Sequence, residues 1–351
     1  MRPIARALVI FARVTLATVT LATLAFGVAS LAWPVYAQDA VDAAAAKREG
    51  KLVWYTSTPV ENATRIARMF EAEYQIKVEV FRTGGSAAMR RFMQEVEAGR
   101  IIADVLTTSD PGGFGGLVKR GLLVPFKPAG FELIPDIAKD KDGYFFAQRL
   151  NLMSIYARTD KVAAADLPKS WDDLTLAKYK GRMVMTDPSY TSLQLSVVGM
   201  LAKIKGWGFY EKIAKNDIMI VQGNQQVAET IKRGERVIAA GASDSYATDD
   251  RQAGLPVITI YPADGAFVIP SPTAVVKGSG SPNAARLFVT FMLTKPVQAL
   301  FPREGGYAAR NDMAPPSGNP PLAEIKVIPI DHDYIEKEGP RIKKKFAEVF
   351  Q

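Results

Sequence analysis

The sequence predicts an α/β fold of two compact units, and three observations support this class. Strand, turn and helix patterns alternate three times between residues 51 and 123, which is typical of parallel sheets with helical crossovers. A second α/β series begins near residue 150. Removing a 37-residue export segment from the 351 residues leaves 314, which is too long for one ordinary hydrophobic core and suits two.

Each element of the first series has a recognisable beginning. Lys51–Thr56 is predicted to be a buried strand, and Thr58–Glu61 supplies the hydroxyl, proline and acid of a helix start. Lys77–Arg82 and Ala103–Thr107 are the next predicted strands, and Ser86 can cap the helix between them. Ligands of parallel sheets bind where strands end and helices begin, so the turns after these strands are candidate sites.

The second series repeats the pattern up to the end of the chain. A long helix is predicted to follow the turn at Asp187–Ser192, another opens at Gly223, and a final helix covers Arg341–Phe350. Prolines 270 and 272 are expected to break the last strand into two. The predicted strands are Leu152–Ala157, Arg182–Thr186, Arg236–Ala240, Phe267–Ile269 and Thr273–Val276.

The first 37 residues predict a secretory signal peptide. Arg2, Arg6 and Arg13 precede the uncharged run Val14–Trp33, and Val35–Ala37 places small residues three and one before the expected cut. We expect cleavage after the last of these residues, so the mature chain works outside the cytoplasm. The alternative is an uncleaved membrane anchor, because the apolar run is about long enough to span a bilayer.

Composition excludes several other classes of protein. The chain is 48% hydrophobic and 23% charged, which is ordinary for a globular protein. It has no cysteine, so disulfides and a cysteine-linked lipid are excluded. The formal net charge of +8 falls to about +5 without the three signal arginines, which favours an anionic ligand or a basic surface. No zinc spacing or recognition helix indicates nucleic-acid binding.

The sequence gives little support to catalysis. His332 is the only histidine, and neither a nucleophile elbow nor a phosphate-binding loop is present. Asp104, Asp110, Asp187 and Asp244 lie at strand-end positions and can act as acid or base, which keeps an exported enzyme as the alternative. Aspartates at such positions more often cap helices or form turns. We therefore predict no catalytic residue, no cofactor and no metal site.

Five loops at predicted strand ends are small, polar and rich in hydrogen-bond donors. A helix N-terminus has free N–H groups and a partial positive charge, so helices that begin in such loops can bind an anion. Loops from both units can converge on one cleft. The predicted ligand-binding residues are Ser57, Thr58, Gly85, Ser86, Ser109, Ser189, Tyr190, Thr191, Ser192, Asn224, Asp244, Ser245 and Tyr246.

The order of short segments along the chain resembles a known family. The matching segments are Val53–Ser57, Phe70–Tyr74, Ala103–Leu106, Gly121–Pro125, Ser170–Leu174, Lys178–Met185, Ala274–Gly278 and Asn283–Phe288. In this order they resemble periplasmic solute-binding proteins of ABC importers, in the group that holds ferric-ion, 2-aminoethylphosphonate, phosphosugar, thiamine and polyamine binders. The likeness covers nearly all of the mature chain.

The resemblance implies a two-lobed type II periplasmic-binding-protein fold. Each lobe is a mainly parallel sheet flanked by helices, with crossing hinge strands and the solute held between the lobes. Carried over, residues 38–44 are a linker, residues 45–152 plus 274–351 form lobe one, and residues 153–273 form lobe two. The family's action implies a periplasmic monomer that closes on its solute and docks to an ABC permease in the inner membrane.

Two classes of solute suit the predicted loops. A phosphonate, phosphate ester or carboxylate suits the hydroxyl-rich loops, and Arg82 or Arg149 can add a charge-assisted fork. Ferric ion is the alternative, since Tyr55, Tyr190 and Tyr246 can gather in the cleft and phenolates suit a hard cation. Ferric-binding relatives usually carry adjacent tyrosines in the loop that corresponds to Ser243–Tyr246, whereas this loop has a single tyrosine. A sensor that presents the solute to a receptor is a third possible use.

Overall fold

The computed structural model describes residues 40–350, so the predicted signal peptide lies outside the described residues. Their helices are α1 Ala43–Glu49, α2 Val60–Tyr74, α3 Gly85–Glu97, α4 Pro111–Lys119, α5 Ser192–Lys205, α6 Trp207–Ala214, α7 Asn224–Arg233, α8 Asp244–Gln252, α9 Pro282–Met292, α10 Lys295–Gln298, α11 Leu300–Arg303 and α12 His332–Phe350. Their strands are β1 Lys51–Thr56, β2 Lys77–Arg82, β3 Val105–Thr107, β4 Leu123–Val124, β5 Phe146–Arg158, β6 Met183–Thr186, β7 Met219–Val221, β8 Ile238–Ser243, β9 Val257–Ile260, β10 Phe267–Val276 and β11 Tyr307–Ala308.

The sheet confirms the predicted α/β class. Its strands run in the order β2-β1-β3-β10-β5-β8-β6-β7, with β4 on β10 and with β9 and β11 on β5. The strands β1, β2 and β3 are parallel, and so are β6, β7 and β8. The long strands β5 and β10 pair antiparallel to each other and join the two parallel series.

The hydrophobic core is divided between two large clusters of buried side chains. In one, the rings of Trp54 and Phe70 lie 5.1 Å and 4.9 Å from Phe288, edge to face. The other surrounds Trp171 and includes Tyr210, which is buried among α5, α6 and α12. Packed aromatic rings contribute about 0.5–1.5 kcal/mol per pair beyond their buried area. The lobe boundaries implied by the resemblance stay a prediction.

The predicted break at the two prolines of β10 is wrong. It is continuous from Phe267 to Val276, and its register against β5 shifts between Pro270 and Pro272. Proline has no N–H to donate, so the strand accommodates both residues at an irregularity rather than ending. Because β10 is paired along both edges, tertiary pairing overrides the local signal.

The last helix is also longer than predicted. It begins at His332 and continues through Pro340, whereas the sequence indicated a start after the proline. It packs against α4 and α5, where glycines permit a close approach. A Cβ on Gly112 would lie 2.9 Å from the carbonyl oxygen of His332, and one on Gly199 would lie 2.9 Å from Cδ1 of Ile342. Within residues 40–350, no helix is long and apolar enough to cross a membrane.

Candidate ligand-binding site

A cavity of about 560 Å³ lies at the carboxyl ends of the strands β1, β2, β3, β6, β7 and β8. This is the edge of a parallel sheet where ligands are expected. Its lining residues are Ser57, Pro59, Arg82, Thr83, Gly84, Gly85, Ala87, Arg90, Ser109, Arg149, Asn151, Tyr190, Thr191, Ser192, Leu193, Gln222, Gly223, Asn224, Gln225, Gln226, Glu229, Ser243, Ser245 and Tyr246.

Five helices begin at this cavity without a side-chain cap. The residues that precede α2, α3, α5, α7 and α8 all line the cavity, and none of their side chains accepts a hydrogen bond from the first turn; these are Pro59, Gly84, Thr191, Gly223 and Ser243. Uncapped N–H groups and the helix dipole both favour a bound anion at these five starts.

Three arginines give the cavity a positive charge. Arg82, Arg90 and Arg149 line it together with one carboxylate, Glu229, and within residues 40–350 none of the three arginines forms an ion pair. The Nε of Arg82 donates to the carbonyl oxygen of Thr58 at 3.1 Å. An anion entering the cavity therefore meets guanidinium groups that no carboxylate of the described chain already occupies.

Arg149 is the most unusual of these residues. It lies on β5, and its buried Nε has no hydrogen-bond partner among the described residues. Burial lowers the pKa of Arg149 to about 10, against an ordinary value of 12.5. The guanidinium therefore remains charged at neutral pH, while its buried Nε lacks the hydrogen bond that such a donor normally makes. Among the polar groups facing the cavity, the buried Oγ of Ser57 likewise has no partner.

Other polar groups of the cavity are held in place by hydrogen bonds to one another. The Nδ2 of Asn151 donates to the Oγ of Ser271 at 2.8 Å, and the Oγ atoms of Ser271 and Ser109 are 2.7 Å apart. The backbone N–H of Ser243 donates to Oδ1 of Asn224 at 3.1 Å. These contacts fix the lining before any solute arrives, which reduces the entropy lost on binding.

Two cavity loops touch across the site through glycines. A Cβ on Gly84 would lie 3.0 Å from the carbonyl oxygen of Tyr190, and one on Gly85 would lie 3.0 Å from the Oγ of Ser192. The Oγ atoms of Ser86 and Ser192 are 3.4 Å apart. A side chain at either glycine would push apart the loops that precede α3 and α5.

The three tyrosines considered as iron ligands do not gather in the cavity. The hydroxyl of Tyr55 donates to Oε1 of Glu95 at 2.6 Å in the hydrophobic core, so that expectation is wrong for this residue. Tyr190 lines the cavity and is 50% exposed, and Tyr246 lines it from α8. Burial raises the pKa of Tyr246, although Arg149 and Arg82 oppose the shift, so its hydroxyl stays protonated at neutral pH.

Nine of the thirteen predicted ligand-binding residues line the cavity, although whether they contact a solute stays a prediction. They are Ser57, Gly85, Ser109, Tyr190, Thr191, Ser192, Asn224, Ser245 and Tyr246. Thr58 is buried and donates to Oε1 of Gln148, and the N–H of Ser189 donates to Oδ1 of Asp187. Ser86 lies beside Ser192 but outside the lining.

Asp244 is the fourth predicted residue outside the lining. It is the first residue of α8 and is 1% exposed, and one of its oxygens accepts from Nδ2 of Asn319 at 3.2 Å. Burial raises the pKa of Asp244 well above its ordinary value. Asp244 therefore supports the first turn of α8, from which Ser245 and Tyr246 reach the cavity.

Sequence reasoning missed most of the longer polar side chains of the lining. Arg90, Asn151, Gln222, Gln226 and Glu229 were not predicted. Arg90, Gln226 and Glu229 lie on helices, where polar residues normally indicate a solvated face. One signal was available. Arg149 and Asn151 are two residues apart in β5, so they share one face of that strand.

The α/β fold and a polar cavity at its strand ends define a solute-binding protein. A family model for bacterial extracellular solute-binding proteins matches residues 100–338, so the chain belongs to that family. This confirms the resemblance found in the sequence. Family membership implies a location outside the cytoplasm, in agreement with the predicted export.

Solved structures confirm the fold class at low sequence identity. AfuA from Actinobacillus pleuropneumoniae with fructose-6-phosphate bound is 20% identical, with a TM-score of 0.75 over 86% of this chain and 98% of that chain. Iron-bound HitA from Pseudomonas aeruginosa is 22% identical, with a TM-score of 0.74 over 84% and 99%. A probable ABC transporter periplasmic-binding protein of Sinorhizobium fredii is 26% identical over 245 residues, 66% of each chain.

Proposed function

We propose that this protein is the periplasmic substrate-binding component of an ABC importer for a small anionic solute. It captures a phosphonate, phosphate ester or carboxylate by hinge closure and releases it unaltered to a membrane permease. The observation that carries the proposal is Arg149, a half-buried residue that lines the cavity and whose buried Nε has no hydrogen-bond partner among the described residues. An anion would supply the missing acceptor.

The rest of the lining supports an anion as well. Three arginines and one carboxylate leave a formal charge of about +2 on the described lining. Five uncapped helix starts add backbone donors without adding counter-charges. The transport role is supported by the Sinorhizobium fredii relative, which is named as an ABC transporter periplasmic-binding protein.

The positions of the candidate aspartates support binding without turnover. Asp104 accepts from the N–H groups of Val53 and Ser281 and from the hydroxyl of Ser279, so its oxygens already hold the fold together. Asp110 caps α4. Neither these two nor Asp187 and Asp244 line the cavity. A carboxylate that cannot reach the solute cannot act on it as acid or base.

Ferric ion is less well supported by this lining. Only Tyr190 and Tyr246 of the considered tyrosines line the cavity, and burial favours the protonated form of Tyr246. Among residues 40–350, no group of three or more histidine, aspartate or glutamate side chains is arranged to hold a metal ion. Because HitA binds iron on a similar fold, a ferric complex belongs in the test.

The test begins with mass spectrometry of any molecule retained by gently purified protein. Thermal melting then compares phosphonates, phosphate esters, organic acids and ferric citrate. A solute at 100 times its Kd adds about 2.7 kcal/mol to the free energy of unfolding. An unaltered anion that raises the Tm supports the proposal. A shift with ferric citrate but not with citrate overturns the anionic-solute assignment, and recovery of a chemically changed solute overturns binding without turnover.

A further inference from the structure

We propose that one water molecule is bound inside the hydrophobic cluster around Trp171, where it bridges Gln194 of α5 and Tyr210 of α6. A small internal cavity lies where these two helices pack against β6 and β8, and both residues line it. Gln194 and Tyr210 are 1% and 2% exposed. The internal cavity shares no lining residue with the ligand cavity, so this site does not depend on which solute the protein binds.

The internal cavity has the size of a single water molecule. Its volume is about 10 Å³, which is about the lower limit for holding one water and too little for a second. Eight of its ten lining residues are apolar. Cavities without water are lined entirely by apolar groups, whereas a buried water needs about two to four polar partners. The two polar residues of this lining therefore indicate a bound water.

Each of these two residues has a buried polar atom that forms no hydrogen bond within residues 40–350. The atoms are the hydroxyl oxygen of Tyr210 and Oε1 of Gln194. Buried polar atoms nearly always have a partner, which is either protein or an ordered water. A water in the internal cavity accepts a hydrogen bond from the hydroxyl of Tyr210 and donates one to Oε1 of Gln194. One molecule therefore satisfies both atoms.

Packing holds both side chains inside the cluster, where bulk solvent does not reach them. The ring of Tyr210 lies 5.0 Å from that of Phe209 and 6.1 Å from that of Phe350. The amide of Gln194 lies against β8, since a Cβ on Gly241 would be 3.5 Å from its Nε2. Burial raises the pKa of Tyr210 well above its ordinary value, so the hydroxyl keeps its proton and remains a donor.

The bridging water fixes the elements that lie behind the ligand cavity. Gln194 follows Leu193, which lines the ligand cavity from α5, and β8 ends at Ser243, which also lines it. Because the water lies on the far side of these elements, it stays in place when solute binds. It is therefore a structural component of the protein, unlike the waters that a solute displaces from the ligand cavity.

A high-resolution crystal structure of the purified protein tests the water directly. We expect one electron-density peak within about 3.2 Å of both the Tyr210 hydroxyl and Oε1 of Gln194. The peak should be present in crystals grown with and without solute. An internal cavity without a peak overturns the proposal, and so does a peak that disappears when solute binds.

The variant Tyr210→Phe tests the water through the sign of a Tm change. If the water is bound, the variant removes one of its two partners and should lower the Tm by about 2–4 °C. If the cavity holds no water, the variant removes an unpaired buried hydroxyl, and the Tm should rise. Tyr179→Phe is the matched control, because it removes a hydroxyl that donates to the carbonyl oxygen of Asp166 at 2.7 Å.

A double variant tests whether the two residues share the same water. Gln194→Met keeps the length of the side chain and removes its amide, so it should lower the Tm as Tyr210→Phe does. In the double variant the lining is wholly apolar, and the Tm should fall by less than the sum of the two single losses. Losses that simply add would show that the two residues have no common partner, which would overturn the bridge.

Discussion

The two arginines of β5 have opposite environments. Arg158, its last residue, donates from Nε and Nη2 to the two oxygens of Asp160, each at 2.8 Å, and from Nη1 to the carbonyl oxygens of Ile231 and Lys232. Arg149, nine positions earlier, leaves its buried Nε without a partner among the described residues. The hydrogen bonds to Asp160 raise the pKa of Arg158, whereas burial lowers the pKa of Arg149.

Within this one strand, the hydrogen-bond partners distinguish an arginine that stabilises the fold from an arginine that is available to bind a ligand. The hydrogen bonds of Arg158 close the carboxyl end of α7 and are complete within the chain. The half-buried Arg149 destabilises the fold because its buried Nε–H donor is unpaired, and a bound anion offsets this cost. The following predictions test this contrast.

Arg158→Gln should give the largest change in stability. It removes the paired hydrogen bonds to Asp160 and leaves the carbonyl oxygens of Ile231 and Lys232 without their donor. The expected loss is about 2–3 kcal/mol in the free energy of unfolding, measured by urea denaturation. Solute affinity should stay within twofold of wild type, and a tenfold loss of affinity would place Arg158 in the binding machinery instead.

Arg149→Gln should show the reverse pattern. Loss of a charge-assisted hydrogen bond to the anion should weaken binding by about 2 kcal/mol, roughly 30-fold, in isothermal titration. The free energy of unfolding without solute should stay equal or rise, because the variant no longer buries an incompletely bonded cation. Destabilisation comparable to that of Arg158→Gln would show that Arg149 is structural.

Asp244→Asn extends the comparison to a buried acid. A folded-state pKa above the unfolded one stabilises the protein fully below about pH 4, and this contribution is lost as pH rises through the folded pKa. The variant has no carboxyl group to ionise at this position, so its free energy of unfolding should fall less than that of wild type between pH 4 and pH 8. Urea midpoints from pH 4 to 8 measure it, with the exposed Asp142→Asn as control.

Tyr246→Phe should have the smallest effect. It removes one neutral hydroxyl donor from the cavity, which corresponds to about 0.5–1.5 kcal/mol, or roughly threefold to tenfold in affinity for the anion. Tyr190→Phe, at an exposed side chain, should change affinity less. A loss above about a hundredfold at Tyr246, confined to ferric citrate, would indicate a phenolate ligand and contradict the anionic assignment.

Local sequence patterns predicted the strands better than the elements that depend on tertiary contacts. The bounds of β1 and β2 were predicted to the residue, because both strands are bordered by clear turn and cap signals. The continuity of β10 across its prolines and the early start of α12 were missed. In both cases pairing or packing with distant segments decides the structure, and a short window of sequence does not contain those segments.

Within the site, the sequence predicted loops better than side-chain directions. Ser57 lines the cavity, whereas its neighbour Thr58 is buried against Gln148, and a composition-based argument cannot separate adjacent hydroxyls. Ser245 and Asp244 differ in the same way. Gln226 and Glu229 were missed because they look like an ordinary exposed helix face until the fold places the cavity beside them.

His332 allows the protein to be followed by NMR at a single side chain. It is the chain's single histidine, and it starts the helix that packs on Gly112, three residues beyond the cavity residue Ser109. The proton NMR spectrum should therefore contain one imidazole signal set, assigned without isotopes or mutants. Burial lowers the pKa of His332, so the midpoint of that signal's pH titration reports how tightly α12 and α4 stay packed as solute is added.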